Sequence, residues 1–204
     1  MHRVEKRALT RARLIEAALN VFAFGGYEHA TVDDIARAAG LSKGAFYFNF
    51  NSKDEILIEL VRQWSDERMS LLNAAFAFEE ESGSRLRAMA AALISYSGGT
   101  NWPPLILEFW SQALRAGEVS QRISQAYRDW RRLLETAAAE AGESVAVPPG
   151  QLADAILAIH DGAVTEIALG RARSSRGAAP ALVAMAAGGA GAPVAGLVPE
   201  AAGA

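Results

Sequence analysis

The chain has 204 residues, a formal net charge of −3, 51% hydrophobic residues and no cysteine. A sizeable core can be buried, which excludes global disorder. A disulfide framework, a thiolate metal site and a cysteine nucleophile are excluded too, and the composition suits a reducing cytoplasm.

The charge is unevenly spread. Residues 1–53 carry eight Lys/Arg against five Asp/Glu, whereas residues 54–204 carry twelve against eighteen. A polyanion is therefore attracted to one end and repelled by the other. Met1–Arg13 is charged and has no apolar core, so no secretory signal is expected. Gly177–Pro199 has no charge over a bilayer-spanning length, but Ala and Gly dominate it and Pro180, Pro193 and Pro199 interrupt it. Leu, Ile and Phe, which drive insertion, are scarce there, so a flexible tail is expected and no membrane partner.

In chain order, Arg3, Lys6, Arg7, Arg11 and Arg13 stand against Glu5 alone. Such an arm is either a DNA-backbone or minor-groove contact or a solvated tail. Leu14, Ala18, Val21 and Phe22 follow helical spacing up to Gly25-Gly26. Thr31 caps a short helix, with Asp34 at the capping-box position and Val32, Ile35, Ala36 and Ala39 on one side. Gly40 stops it and can take the positive φ of a tight turn. Leu41 pins the turn, and Ser42 caps a helix over Lys43–Asn49.

Phe46 and Phe50, four apart, point inward. Lys43, Gly44, Ala45, Tyr47, Phe48 and Asn49 are then left mostly outside. Ser52 and Glu55 form a second capping box, opening a long helix with Leu57, Leu60, Val61, Trp64, Leu71 and Leu72 on its apolar side. After a break at Glu79–Gly83, helices are expected near 84–98, 101–115, 119–141 and 150–170. Beyond Arg176 the chain becomes Ala, Gly and Pro, with a short helix expected at Ala181–Ala187.

The expected fold is all-α. A three-helix helix-turn-helix DNA-binding domain occupies residues 1–53, and a larger helical ligand-binding and dimerisation domain occupies 54–170, with 54–78 as the connecting helix. Residues 171–204 form the tail. Lys43 can reach a phosphate or a guanine edge. Gly44 and Ala45 permit close approach to a major groove, and the Ala45 methyl suits a thymine methyl. Tyr47 offers a hydroxyl to phosphate, and Lys53 adds charge at a helix N-terminus. Phe48 either faces DNA or packs on the following helix.

The segment Thr31–Leu57, TVDDIARAAGLSKGAFYFNFNSKDEIL, resembles the N-terminal motif of the TetR family of bacterial regulators. Thr31, Ile35, Ala36, Ala39, Gly40, Ser42, Gly44, Tyr47, Phe50, Ser52-Lys53 and Leu57 run in register with it, and the likeness extends without a gap from Arg11 to Leu60. The resemblance implies a homodimer on a palindromic operator of double-stranded DNA, usually bound in the ligand-free state. It implies phosphate contacts at Thr31, Lys43, Tyr47 and Lys53, and base contacts near Gly44, Ala45, Phe48 and Asn49. Ala45 stands where Thr is common and Asn49 where His is common, which bears on the sequence read.

In the second half, Met89, Tyr96, Trp102, Phe109 and Trp110 are candidate pocket walls, with Trp64 or Phe76 contributing from the long helix. Glu108 and His160 interrupt apolar helices. Each either touches a small-molecule effector or is satisfied by an internal hydrogen bond or an interface contact. Leu105–Arg115 and Tyr127–Trp130 resemble one branch of the family. The helix Leu152–Leu169 carries Ala155, Ala158, Gly162, Ala163 and Ala168, and the preceding helix offers Ile123, Tyr127, Trp130, Leu133, Leu134 and Ala137, so two helices from each subunit are expected in a dimer seam.

The reading is a homodimeric repressor released by a small-molecule ligand. The alternative is a ligand-independent DNA-binding repressor or architectural protein. Catalysis is not expected: His160 and Asp161 point about 100° apart on a helix, and no P-loop, nucleophile elbow or HExxH occurs. No cofactor and no metal is called for.

Overall fold

The computed structural model describes residues 3–78, 82–94, 102–115, 117–141 and 147–170. They form helices α1 (Arg3–Gly25), α2 (Val32–Ala38), α3 (Lys43–Asn49), α4 (Lys53–Phe78), α5 (Ser82–Ile94), α6 (Trp102–Ala113), α7 (Glu118–Glu140) and α8 (Pro149–Ala168), with no strand among the described residues. Tyr96, the tail 171–204 and the expected helix at Ala181–Ala187 lie outside them.

Capping sets the starts of the short helices. Thr31 Oγ1 accepts from Asp34 N at 3.1 Å while the Asp34 carboxylate accepts from Thr31 N at 3.1 Å, so both halves of the box are closed at α2. Ser42 Oγ accepts from Ala45 N at 3.1 Å at α3. The second expected box is altered. Ser52 Oγ accepts from Glu55 N at 3.2 Å, but the Glu55 carboxylate reaches past Ser52 to Asn51 N at 2.7 Å. Gly40 joins α2 to α3 at φ 64°, and a Cβ there would meet Arg13 Nη2 at 3.3 Å.

The basic stretch is not a free arm: it is the opening of α1. α1 packs on α2, α3, α4 and α6, and Leu14, Phe22, Ile35, Phe46 and Phe50 are buried between these elements. α4 continues into the larger domain, where it meets α5 and α7. α7 is central, packed against α4, α5, α6 and α8. Its Ile123, Trp130, Leu134 and Ala137 are buried within the subunit, so the expectation that this apolar face lines a dimer seam is corrected. α8 differs: it buries Leu152, Ile156, His160 and Val164 but leaves Ala155, Ala158 and Gly162 exposed. No helix among the described residues is long and apolar enough to cross a membrane.

Candidate nucleic-acid interface and the buried aromatic cluster

α3 presents its outer face as expected at most positions. Lys43 and Gly44 are exposed, Tyr47 is 51% exposed, Phe48 is 64% exposed and Ala45 is half-buried. Thr31 is exposed at the start of α2. Asn49 departs from expectation at only 8% exposure. Its Nδ2 donates to Ala45 O at 2.8 Å, one turn back, and its own carbonyl accepts from Arg11 Nη1 at 2.9 Å. Asparagine readily bonds the backbone nearby, and here that draws the side chain inward.

Several cations are held by the protein itself. Lys53 was expected to face phosphate, yet its Nζ donates to the carbonyls of Tyr27 (2.8 Å), Ala30 (3.1 Å) and Glu28 (3.3 Å) and lies 4.4 Å from the Tyr27 ring centroid. All three donors of the ammonium are thereby engaged. Lys43 pairs with Asp33 at 2.9 Å, which raises its pKa, through the hydrogen bond first and Coulomb attraction second. Arg13 Nη2 donates to Ala39 O at 2.7 Å, and Arg11 lies 4.0 Å over the Phe50 ring. Cations at Ala39 O and Asn49 O complement the negative ends of α2 and α3. Sequence reasoning assigned both arginines to an arm. The available signal was their helical spacing with Leu14 and Ala18.

The larger domain is filled by rings. Trp64 of α4 contacts Trp130 of α7 edge-on at 4.8 Å and Phe109 of α6 at 5.5 Å, and Trp130 contacts His160 of α8 at 6.1 Å. Met89 and Phe109 are fully buried, while Trp102 and Trp110 are half-buried. Trp110 Nε1 donates to Tyr127 Oη at 2.9 Å, and Tyr127 donates to Asp161 Oδ1 at 2.6 Å. Burial raises the Asp161 pKa to about 6, with the Tyr127 bond opposing it. Tyr127, which sequence reasoning put at a dimer seam, belongs to this inner chain.

His160 is fully buried, with Nδ1 3.0 Å from Leu93 O. The carbonyl can only accept, so Nδ1 carries the proton and Nε2 is a lone-pair acceptor. Burial first, then the Arg68 charge, lowers the His160 pKa to about 4. Nε2 of His160 and the indole N–H groups of Trp64 and Trp130 have no hydrogen-bond partner among the described residues. Leaving such a group unmade costs about 1–3 kcal/mol.

Glu108 does not join this cluster. Its Oε2 accepts from Tyr27 N at 3.2 Å, in the loop between α1 and α2. Gln112 of α6 and Arg115, just past its end, donate to Glu28 Oε1 at 3.1 and 2.6 Å. Glu108 and Gln112 lie one turn apart on α6, and with Arg115 after its end they hold the α1–α2 loop by three polar side chains. Tyr27 also donates its hydroxyl to Asp54 at the start of α4, and desolvation foremost pushes its pKa upward. Gln112 and Arg115 were missed in the sequence. Their i+4 and i+7 spacing from Glu108 was the signal.

Family models match both parts of the chain: "Bacterial regulatory proteins, tetR family" over residues 14–60, and "BetI-type transcriptional repressor, C-terminal" over 82–188. The regulator BetI of Agrobacterium fabrum is 30% identical over 189 residues, covering 90% of this chain and 88% of BetI. The uncharacterised regulator YwcC of Bacillus subtilis is 36% identical over 102 residues, 48% of this chain and 46% of YwcC, so the chain spans under half the length of that relative. Among solved structures, a transcriptional regulator from Saccharomonospora viridis in complex with choline superposes with a TM-score of 0.74 at 20% identity, covering 86% of this chain and 94% of that one, a likeness of fold alone. The two family models, the full-length likeness to BetI and the capped helix pair at Val32–Asn49 together show that the chain belongs to the TetR family of bacterial transcriptional regulators.

Proposed function

We propose that the protein is a homodimeric repressor that binds a palindromic operator and is released by a small organic cation. The observation that carries the DNA part is the outer face of α3, where Lys43, Gly44, Ala45 and Tyr47 stand on a rigid, doubly capped helix pair. The α3 N-terminal residues meet base edges, Lys43 and Tyr47 serve phosphate, and Thr31 adds a phosphate contact from α2. Asn49 and Lys53 are held by the backbone, which weighs against a primary role for either. Pairing through α8 would set two α3 helices one DNA turn apart, roughly 34–36 Å.

The cation reading has separate support. Trp64, Phe109, Tyr127 and Trp130 gather four aromatic rings, and the half-buried Asp161 carboxylate bonded to Tyr127 offers charge. The unpartnered indole N–H groups suit an oxygen on the same molecule. The choline-bound neighbour agrees with this chemistry. Met89, Trp102, Trp110 and His160 remain candidate ligand contacts, and Tyr96 is a candidate outside the described residues. Release travels through α6, whose Phe109 meets the cluster while Glu108, Gln112 and the following Arg115 hold the α1–α2 loop.

The operator comes from selecting a randomised duplex pool with the purified protein. Choline is then titrated against tryptophan fluorescence and operator release, beside a neutral isostere with carbon in place of the quaternary nitrogen. A palindrome released by choline and not by the isostere is the expected result. Equal response to both sinks the cation assignment, and an unenriched pool sinks the DNA assignment.

A further inference from the structure

Beside the reading face, a cleft of about 360 Å³ opens between Lys6, Arg7 and Thr10 of α1 and Ala45, Phe48 and Asn49 of α3. Its rim is cationic and its floor apolar. The state of the neighbouring charges makes the rim unusual. Arg11, Arg13 and Lys53 donate to backbone carbonyls, while Arg37 and Lys43 pair with Asp34 and Asp33. Among the described residues, no hydrogen bond or ion pair holds the side chain of Lys6 or Arg7. The Arg7 guanidinium lies over the Phe48 ring, 5.4 Å from its centroid. The positive charge left for an outside anion therefore gathers around this cleft.

Phe48 belongs to the same feature. A recognition helix meets base edges chiefly with its N-terminal residues, and Phe48 is next to last in α3, turned toward α1. A phenylalanine left 64% exposed on a cationic rim matches the apolar carbons of a sugar, with the attached phosphate above it. We propose that the cleft is a backbone clamp. It takes one deoxyribose-phosphate unit of the operator strand crossing α1, with the phosphate on Lys6 and Arg7 and the sugar on Phe48. This rests on α3 entering a major groove, and it moves Phe48 from base reading to backbone holding. Arg7 thus has two roles, charge for the phosphate and a lid over the ring that keeps Phe48 aimed at the strand.

The test measures affinity against salt for the full-length protein and its Lys6→Ala, Arg7→Ala, Arg7→Lys and Phe48→Ala variants. Each is run on the selected operator and on a mixed-sequence duplex. Failure of the wild type to prefer its operator would count against the DNA-reading proposal, not the clamp. With that preference in hand, Lys6→Ala and Arg7→Ala should each flatten the log affinity–log salt slope by roughly 0.9, the value for one lost phosphate contact. Arg7→Lys should keep the slope. Phe48→Ala should weaken both duplexes by the same factor, roughly tenfold or less, leaving the preference intact. Unchanged slopes in both Lys6→Ala and Arg7→Ala overturn the clamp. So does a Phe48→Ala protein that loses affinity for the operator but not for the mixed duplex, since that pattern belongs to a base reader. All three side chains are exposed at the rim, and matching thermal melts identify any variant whose loss is one of folding.

Discussion

At the scale of single residues, the clearest departure from family expectation is Lys53. Its ammonium closes the open carbonyls of Tyr27, Glu28 and Ala30, a service no uncharged side chain can give. Lys53→Met should lower stability by about 1–3 kcal/mol in urea unfolding, in line with losing charged hydrogen bonds to half-buried acceptors. If Lys53 instead contacts phosphate, the same variant would keep its stability and flatten the salt slope. Gly40→Ala is a second residue-level case. At φ 64° a Cβ costs about 1 kcal/mol, and crowding of Arg13 would loosen that residue's bond to Ala39 O. Caps and turn were legible because Thr, Ser, Asp and Gly act within three or four residues of themselves. Asn49 was misread because helical spacing says which way a Cβ points, not that an amide will fold back onto the Ala45 carbonyl.

At the scale of elements, α6 and α8 carry the chemistry that periodicity could not resolve. α6 reads as one apolar helix, yet one stripe enters the aromatic cluster and another holds the α1–α2 loop. Glu108→Ala should leave choline binding nearly unchanged in fluorescence titration while weakening its release of the operator, a loss of coupling of about 1–2 kcal/mol. Normal release in that variant would mean the signal takes another route. On α8, His160 and Asp161 are adjacent but titrate in opposite senses. The depressed His160 favours the fold above pH 6.5 and loses that contribution as pH falls toward about 4. The raised Asp161 favours the fold at low pH and loses its contribution as pH climbs through about 6. Between pH 6.5 and 4.5 the two offset each other. Asp161→Asn keeps an acceptor for Tyr127 and removes one side of the balance, so its Tm should drop more steeply on acidification than the wild-type Tm. A change of 1 kcal/mol moves Tm by about 2–4 °C in a chain of this size. Parallel curves for the two proteins would show that Asp161 does not titrate in this window.

At the scale of the molecule, the homodimer proposed above needs a surface that pairs two subunits. The sequence offered α7 and α8 together for that seam, α7 with the larger apolar residues. A large apolar face, however, is what a central helix needs, and α7 uses it on four neighbours inside the subunit. The small residues of α8 are the better marker. Ala155, Ala158 and Gly162 follow i, i+3, i+7 along an exposed side of α8, with Ile159 and Ala163 half-buried at its margins. A stripe without bulk gains little alone, but it lets a second helix approach closely, so that backbone and margin residues pack across a two-fold axis. Ala158→Arg at the middle of the stripe should therefore give a monomer by light scattering with an unchanged helical spectrum, because the side chain is exposed in the isolated subunit. The expected functional result is larger than the local change. One head retains only the phosphate and base contacts of a half-site, so operator affinity should fall by several orders of magnitude while the salt slope drops to about half. A variant that stays dimeric would move the seam off α8. One that becomes monomeric yet keeps full operator affinity would remove the two-fold axis from the account of DNA reading.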